Sequence, residues 1–207
     1  GDSEQQTEEE GFGFWQGLMS IQPLWGFLIY SVYAFSLRLL DISVTHYYVE
    51  MVCLIVTLGF IVKTLIAKET VNPDGTSDIG FKKVLAAHSF TWLGVQSMFI
   101  YMIGFVNQNH PDLNDVETGQ VISGSFLVLN LIAAILPALA LEPLAKRFGR
   151  VRLHTICIVT MAAAYFLLSV MGSNTASIYI MMGFLGIGWA ATISLPFAIM
   201  SLKVNAK

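Results

Sequence analysis

GQVISGSFLVLNLIAAILPALALEPLAKRFGRVR, residues 119–152, is the stretch that decides the fold. Residues 119–141 carry no charge and hold Leu, Ile, Val and Ala in a run too long for an ordinary core strand. A helix needs roughly 20 apolar residues to cross the hydrocarbon of a bilayer. The run ends abruptly in a basic segment, 142–152, with Glu142 against Lys146, Arg147, Arg150 and Arg152. An uncharged run closed by a short basic loop reads as a membrane-spanning helix and its cytoplasmic turn.

The same pattern recurs along the whole chain. Its 207 residues are 55% hydrophobic and only 12% charged, about half the charged fraction of a soluble domain. Six apolar runs are predicted as spans, at about 20–40, 47–67, 84–106, 119–141, 153–172 and 176–201. They lack the alternation and short length of barrel strands, so helices are expected. The expected fold is all-α, a polytopic transmembrane helix bundle. Residues 1–19 form an acidic cytoplasmic segment and 20–67 two spanning helices. Residues 68–83 form a central cytoplasmic loop with a turn at Asn72-Pro73-Asp74-Gly75, and 84–207 contain four further helices.

Charge sets the expected orientation. With residues 1–19 in the cytoplasm, Lys63, Lys68, Lys82, Lys83, Lys146, Arg147, Arg150, Arg152, Lys203 and Lys207 all fall on the cytoplasmic side. Only Arg38 falls outside, while the outer loops hold Asp112, Asp115 and Glu117. The reverse threading places nearly every base on the wrong face. Both termini are therefore expected in the cytoplasm, and the location is a plasma or inner membrane. The acidic first ten residues are unlike a secretory leader.

Several residue types carry no site on this reading. Cys53 and Cys157 fall inside apolar runs and read as small hydrophobes. The four histidines lack metal-ligand spacing, so no metal is expected. Glu50, early in the second run, suits a helix N-terminus. Gly183, Gly186 and Gly188 lie inside a predicted span with no strand before them, so they read as helix-packing residues and not as a nucleotide loop. Gly94, Gly104 and Gly124 are read the same way.

The segment 142–152 also carries a resemblance. An acid at a helix end, a Lys-Arg pair, Gly149, then Arg150 and Arg152 resembles the cytoplasmic signature loop of the major facilitator superfamily. Residues 89–105 (SFTWLGVQSMFIYMIGF), 119–152 and 186–204 (GIGWAATISLPFAIMSLKV) resemble helices seven, eight and ten of its sucrose-transporter branch, the glycoside–cation symporters. The resemblance covers about residues 84–205, and residues 20–67 then correspond to helices five and six. It implies part of a twelve-helix fold, so the chain is expected to be a fragment or a remnant of a larger carrier. It also implies alternating access around a midplane site. Glu142, Lys146, Arg147, Gly149 and Arg150 would then form a conformational latch, the arginines pairing with an acid or a helix C-terminus on a neighbouring helix. The implied coupling ion is H+ or Na+, with no other cofactor. The chain departs from plant members in having no acid within residues 101–107.

Candidate binding residues follow from chemistry. Sugars are held by ring faces that stack on C–H surfaces and by amides or hydroxyls that select hydroxyl groups. Trp92 and Gln96 are four apart on one helix face, and Tyr101 follows in the same run. Asn130 and Trp189 lie deep in the fourth and sixth runs. A polar amide at that depth faces a neighbouring helix or a cavity in place of lipid. Arg38 and Asp41, three apart at the outer end of the first run, are candidates for coupling, against the plainer reading of an interfacial ion pair.

These features point to a solute carrier for a sugar or glycoside. The alternatives are a facilitator for another small solute, or a non-transporting membrane subunit or scaffold. An enzyme is not expected, because no paired acids or nucleophile–base pair lies at membrane depth. The expected partners are the solute, the bilayer and the remaining helices of a full carrier or a second copy. Nucleic acid is not among them, since the bases form short loops and no extended stripe.

Overall fold

The computed structural model describes residues 13–73 and 75–201. The acidic residues before Gly13, Asp74 of the predicted turn, and Lys203 and Lys207 lie outside the described residues. Among those described, the structure is helical and contains no strand. In chain order the helices are α1 (Gly13–Ser20), α2 (Trp25–Leu39), α3 (Tyr48–Ile66), α4 (Asp78–Asn109), α5 (Asp115–Leu136), α6 (Glu142–Phe148), α7 (Arg150–Met171) and α8 (Thr175–Met200).

Five helical stretches are long and apolar enough to cross a membrane: α3, α4, the continuous Asp115–Phe148, α7 and α8. Large side chains stand exposed along them, including Ile66, Ile100, Ile135, Val159 and Ile180. Apolar surface on that scale marks an integral membrane protein. The first predicted run differs from the other five. Its helix, from the 3-10 turn at Gln22–Leu24 to Leu39, does not stand among the five. It joins α1, which but for Ser20 lies in the segment 1–19 expected to be cytoplasmic, across a 60° bend at Ile21. Pro23 has no N–H to continue the ladder from α1. The pair supplies a sixth span only if the bent arms are counted as one.

The chain divides into two compact units, one up to Ser89 and one over Phe90–Ser201, with the division inside α4. In the first unit α2 packs on α3 through Gly26. A Cβ there would overlap Thr57 Oγ1 and lie 2.6 Å from the Cys53 carbonyl. Only glycine permits that approach, and Trp25 stacks edge-on against Phe60 beside it, with ring centroids 5.8 Å apart. The predicted turn forms, with Gly75 N–H donating to Asn72 O at 2.9 Å. The loop is shorter than expected, because α4 begins at Asp78, with Ser77 Oγ accepting from Gly80 N–H at 3.0 Å.

The second unit is built around α8, the most buried of the candidate spans, with Ile178, Met182, Ala190 and Thr192 fully enclosed and Ile180 and Phe197 left exposed. Gly186 admits α5, where a Cβ would lie 2.6 Å from Leu129 O. Gly188 admits α7, where a Cβ would strike Met161. Val95, Met98, Met102 and Val106 of α4, at helical spacing, complete the core with Leu129, Met161, Leu168, Met182 and Leu185. Gly94 and Gly104, read above as packing residues, have nothing within 4 Å and face open space.

The basic segment is also less of a loop than expected. The helix of α5 continues through a π-helical turn at Pro137–Leu141 into α6, and only Gly149 interrupts the path to α7. Pro137 and Pro143 each remove an amide donor, and the widened turn between them absorbs the mismatch. Gly149 sits at φ +84° and ψ 144°, a conformation open only to glycine.

Candidate functional site

Four rings from three helices meet inside the second unit. Trp92 of α4 and Trp189 of α8 touch edge to face, with centroids 5.2 Å apart. Phe99 of α4 lies 6.2 Å from Trp189 in the same geometry and stacks on Phe126 of α5 at 5.1 Å. Edge-to-face and offset contacts suit the ring quadrupoles and hold the rings in fixed orientation. Trp92 and Trp189 are half-buried, so ring surface stays accessible.

Helix geometry explains why these residues converge. Trp92, Gln96 and Phe99 follow a four-then-three spacing and form one stripe on α4. Phe126 and Asn130 form the equivalent stripe on α5. Trp92 and Gln96 lie near the middle of α4, Asn130 near the middle of Asp115–Phe148, and Trp189 near the middle of α8. The cluster therefore sits at mid-span. Gln96 is exposed on its stripe. The exposed Asn130 turns its amide back to donate to Phe126 O at 2.9 Å, which leaves its carbonyl oxygen for another partner.

Tyr101 stands apart from this arrangement. It comes nine residues after Trp92, about half a turn around the helix, and is 71% exposed. The structure thus brings together Trp92 and Trp189, keeps Gln96 on the Trp92 face, places Asn130 one turn from Phe126, and leaves Tyr101 on the other side of α4. Phe99 and Phe126 were not singled out from sequence. A phenylalanine in an apolar run looks like any other lipid-facing residue, and only the partner ring marks it.

Of the residues expected to latch, Arg150 meets a helix C-terminus on a neighbouring helix, while Glu142 finds its partner within its own helix. Glu142 pairs with Lys146 one turn on, at 3.5 Å, both exposed. It does not reach Arg150. Arg150 crosses to α8 and donates from Nη1 to Ala198 O at 3.3 Å, in the last turn of that helix. A cation at a helix C-terminus meets the negative end of its dipole. Arg147 lies over the ring of its neighbour Phe148, with Cζ 5.4 Å from the centroid.

Arg38 and Asp41 do not form the expected pair. The helix α2 ends at Leu39, so Asp41 lies past it with φ +51° and shares no helix face with Arg38. Both side chains are exposed and make no ion pair with each other. Glu50, in the first turn of α3, has one carboxylate oxygen buried without a hydrogen-bond partner. His110, just past α4, is buried and bonds through Nε2 to Gly172 O at 2.8 Å, tying the end of α4 to the α7–α8 turn. Its signal in the sequence, a lone histidine before proline in a polar loop, was too weak to read.

Chemically, the cluster offers ring surfaces and amides. It has the parts for gripping an uncharged, partly apolar solute. No known protein family, curated protein or solved structure matches this chain.

Proposed function

We propose that the chain is part of a secondary carrier of the major facilitator type. It moves a small solute, a sugar or glycoside, by alternating access coupled to H+ or Na+. One observation carries this reading: Trp92 and Trp189, from different helices, meet at mid-span with Gln96 one turn from Trp92. Two ring platforms with an amide beside them suit the C–H faces and hydroxyls of a sugar. The resemblance of residues 84–205 to glycoside–cation symporters supports the family, and the six apolar runs suit half of its helices. Glu142, Lys146, Arg147, Gly149 and Arg150 serve as the latch in this reading. Arg150 on the end of α8 is the contact that a rocking motion breaks or remakes, and only contacts that differ between states drive such a motion.

The test is uptake of labelled sucrose and maltose into vesicles carrying the native gene product, with and without a proton or sodium gradient. Gradient-driven accumulation, abolished by Trp92→Ala or Trp189→Ala, is the expected result. Well-inserted protein that accumulates neither sugar under either gradient removes the sugar-symport reading.

A further inference from the structure

The turn between α6 and α7 has a charge pattern that helix stability does not explain. Segment 142–152 holds four bases against one acid, a net of +3. Two of the bases are engaged: Lys146 by Glu142 and Arg150 by Ala198 O. Arg147 and Arg152 are exposed and have no acidic partner among the described residues. Arg152 also lies in the first turn of α7, at the positive end of the helix dipole, where a cation is unfavourable. That turn contains no acid, and its N-cap, Gly149, offers no side chain to the free amides.

Apolar residues stand between these cations. Phe148 is 45% and Val151 60% exposed, flanked by Arg147 on one side and Arg152 on the other. The stretches Asp115–Phe148 and α7 are both long enough to cross a membrane, and only Gly149 separates them. The turn must therefore lie at a membrane interface, where a phenyl ring reaches the acyl boundary and a guanidinium the phosphate layer.

We infer that the turn Arg147–Arg152 binds the phosphate headgroup of an anionic phospholipid, with Arg147 and Arg152 on the phosphate and Phe148 and Val151 against its acyl chains. Guanidinium groups engage phosphate oxygens in bidentate fashion. A bound anion also reverses the unfavourable charge at the start of α7. Exposed apolar groups beside the cations favour a phosphate that carries acyl chains over a free one. The inference rests on the membrane character of the helices and not on transport.

Native mass spectrometry of the whole chain, released from micelles holding equal phosphatidylglycerol and phosphatidylcholine, tests it. Phosphatidylglycerol adducts should dominate. Arg147→Gln with Arg152→Gln should lower their retention roughly thirtyfold, whereas Lys82→Gln with Lys83→Gln should leave it unchanged. Arg152→Gln alone removes an unfavourable charge from a helix start, so it should fold and still lose retention severalfold. Phosphatidylglycerol retained by these arginine variants as by the parent chain would overturn the assignment. Displacement of the lipid by millimolar inorganic phosphate would overturn it too, leaving a plain anion site.

Discussion

Helices α3 and α8 are both apolar enough to span a membrane, yet they are used in opposite ways. Of the most apolar 18 residues of α8, 56% are buried, against 17% for α3. The more hydrophobic of the two is the more exposed. In water that order would be perverse. In a bilayer, lipid is as apolar as leucine, so hydrophobicity gives a helix no reason to move inward. What draws α8 to the centre is its small residues, which let neighbours approach closely. Gly186 faces the backbone of α5, and Gly188 faces Met161 of α7. Gly59 of α3 has nothing within 4 Å.

The comparison breaks most sharply at those glycines. Gly186→Leu drives a side chain into the Leu129 carbonyl and Ile132, a clash that the rigid backbone of α5 cannot relieve. The expected loss is about 3 kcal/mol or more, read as unfolding in a detergent titration followed by circular dichroism. Gly59→Leu should be neutral or slightly stabilising, because leucine is the better helix former and space is free. Equal losses at the two positions would show that small residues do not set the order of burial.

Gly149 tests a different use of glycine. It stands in open space, so volume is irrelevant there, and its backbone at φ +84° decides the outcome. Gly149→Ala should cost about 1–3 kcal/mol in the same titration. Alanine tolerated there would mean that the turn from α6 to α7 relaxes freely into another conformation.

Much of this organisation is legible from sequence, and the remainder fails for identifiable reasons. The spans of α3, α5, α7 and α8 follow from long apolar runs, since length and hydropathy are local properties. The helical start of the basic segment is hard to read because four bases and Pro143 resemble a loop. Lysine and arginine are good helix formers, and a π turn accommodates Pro137 and Pro143. The break at Ile21 falls at the start of the first apolar run, with Pro23 its only mark. At the candidate site, Trp92 and Trp189 were picked out for their chemistry. Their contact was not, because α4 and α8 are brought together by core residues such as Met98 and Met182 that carry no functional signal. Phe99 and Phe126 were invisible for the same reason.

The ring pair can be measured directly. A double-mutant cycle of Trp92→Leu and Trp189→Leu keeps the bulk apolar and removes the edge-to-face geometry. A coupling of about 1 kcal/mol is expected, larger than any between Tyr101 and Trp189. Arg150→Gln should cost a similar amount, about 1 kcal/mol, by removing a charged donor from the last turn of α8. A coupling near zero for the tryptophans would make their proximity incidental.

The smallest effect belongs to the one carboxylate of the basic segment. The Glu142–Lys146 pair is 3.5 Å long, spans one helical turn and is exposed at both ends. Such pairs contribute about 0.3–0.5 kcal/mol and lose that in salt. Lys146→Gln should therefore shift the unfolding midpoint barely, and less at 1 M salt than at low salt. Arg150 donates to a backbone carbonyl and is half-buried, so its contribution should survive the same salt. If Lys146→Gln proved the more damaging of the two, Glu142 would hold the turn. The link between α7 and α8 through Arg150 would then be secondary, and the segment's rigidity would lie within α6 itself.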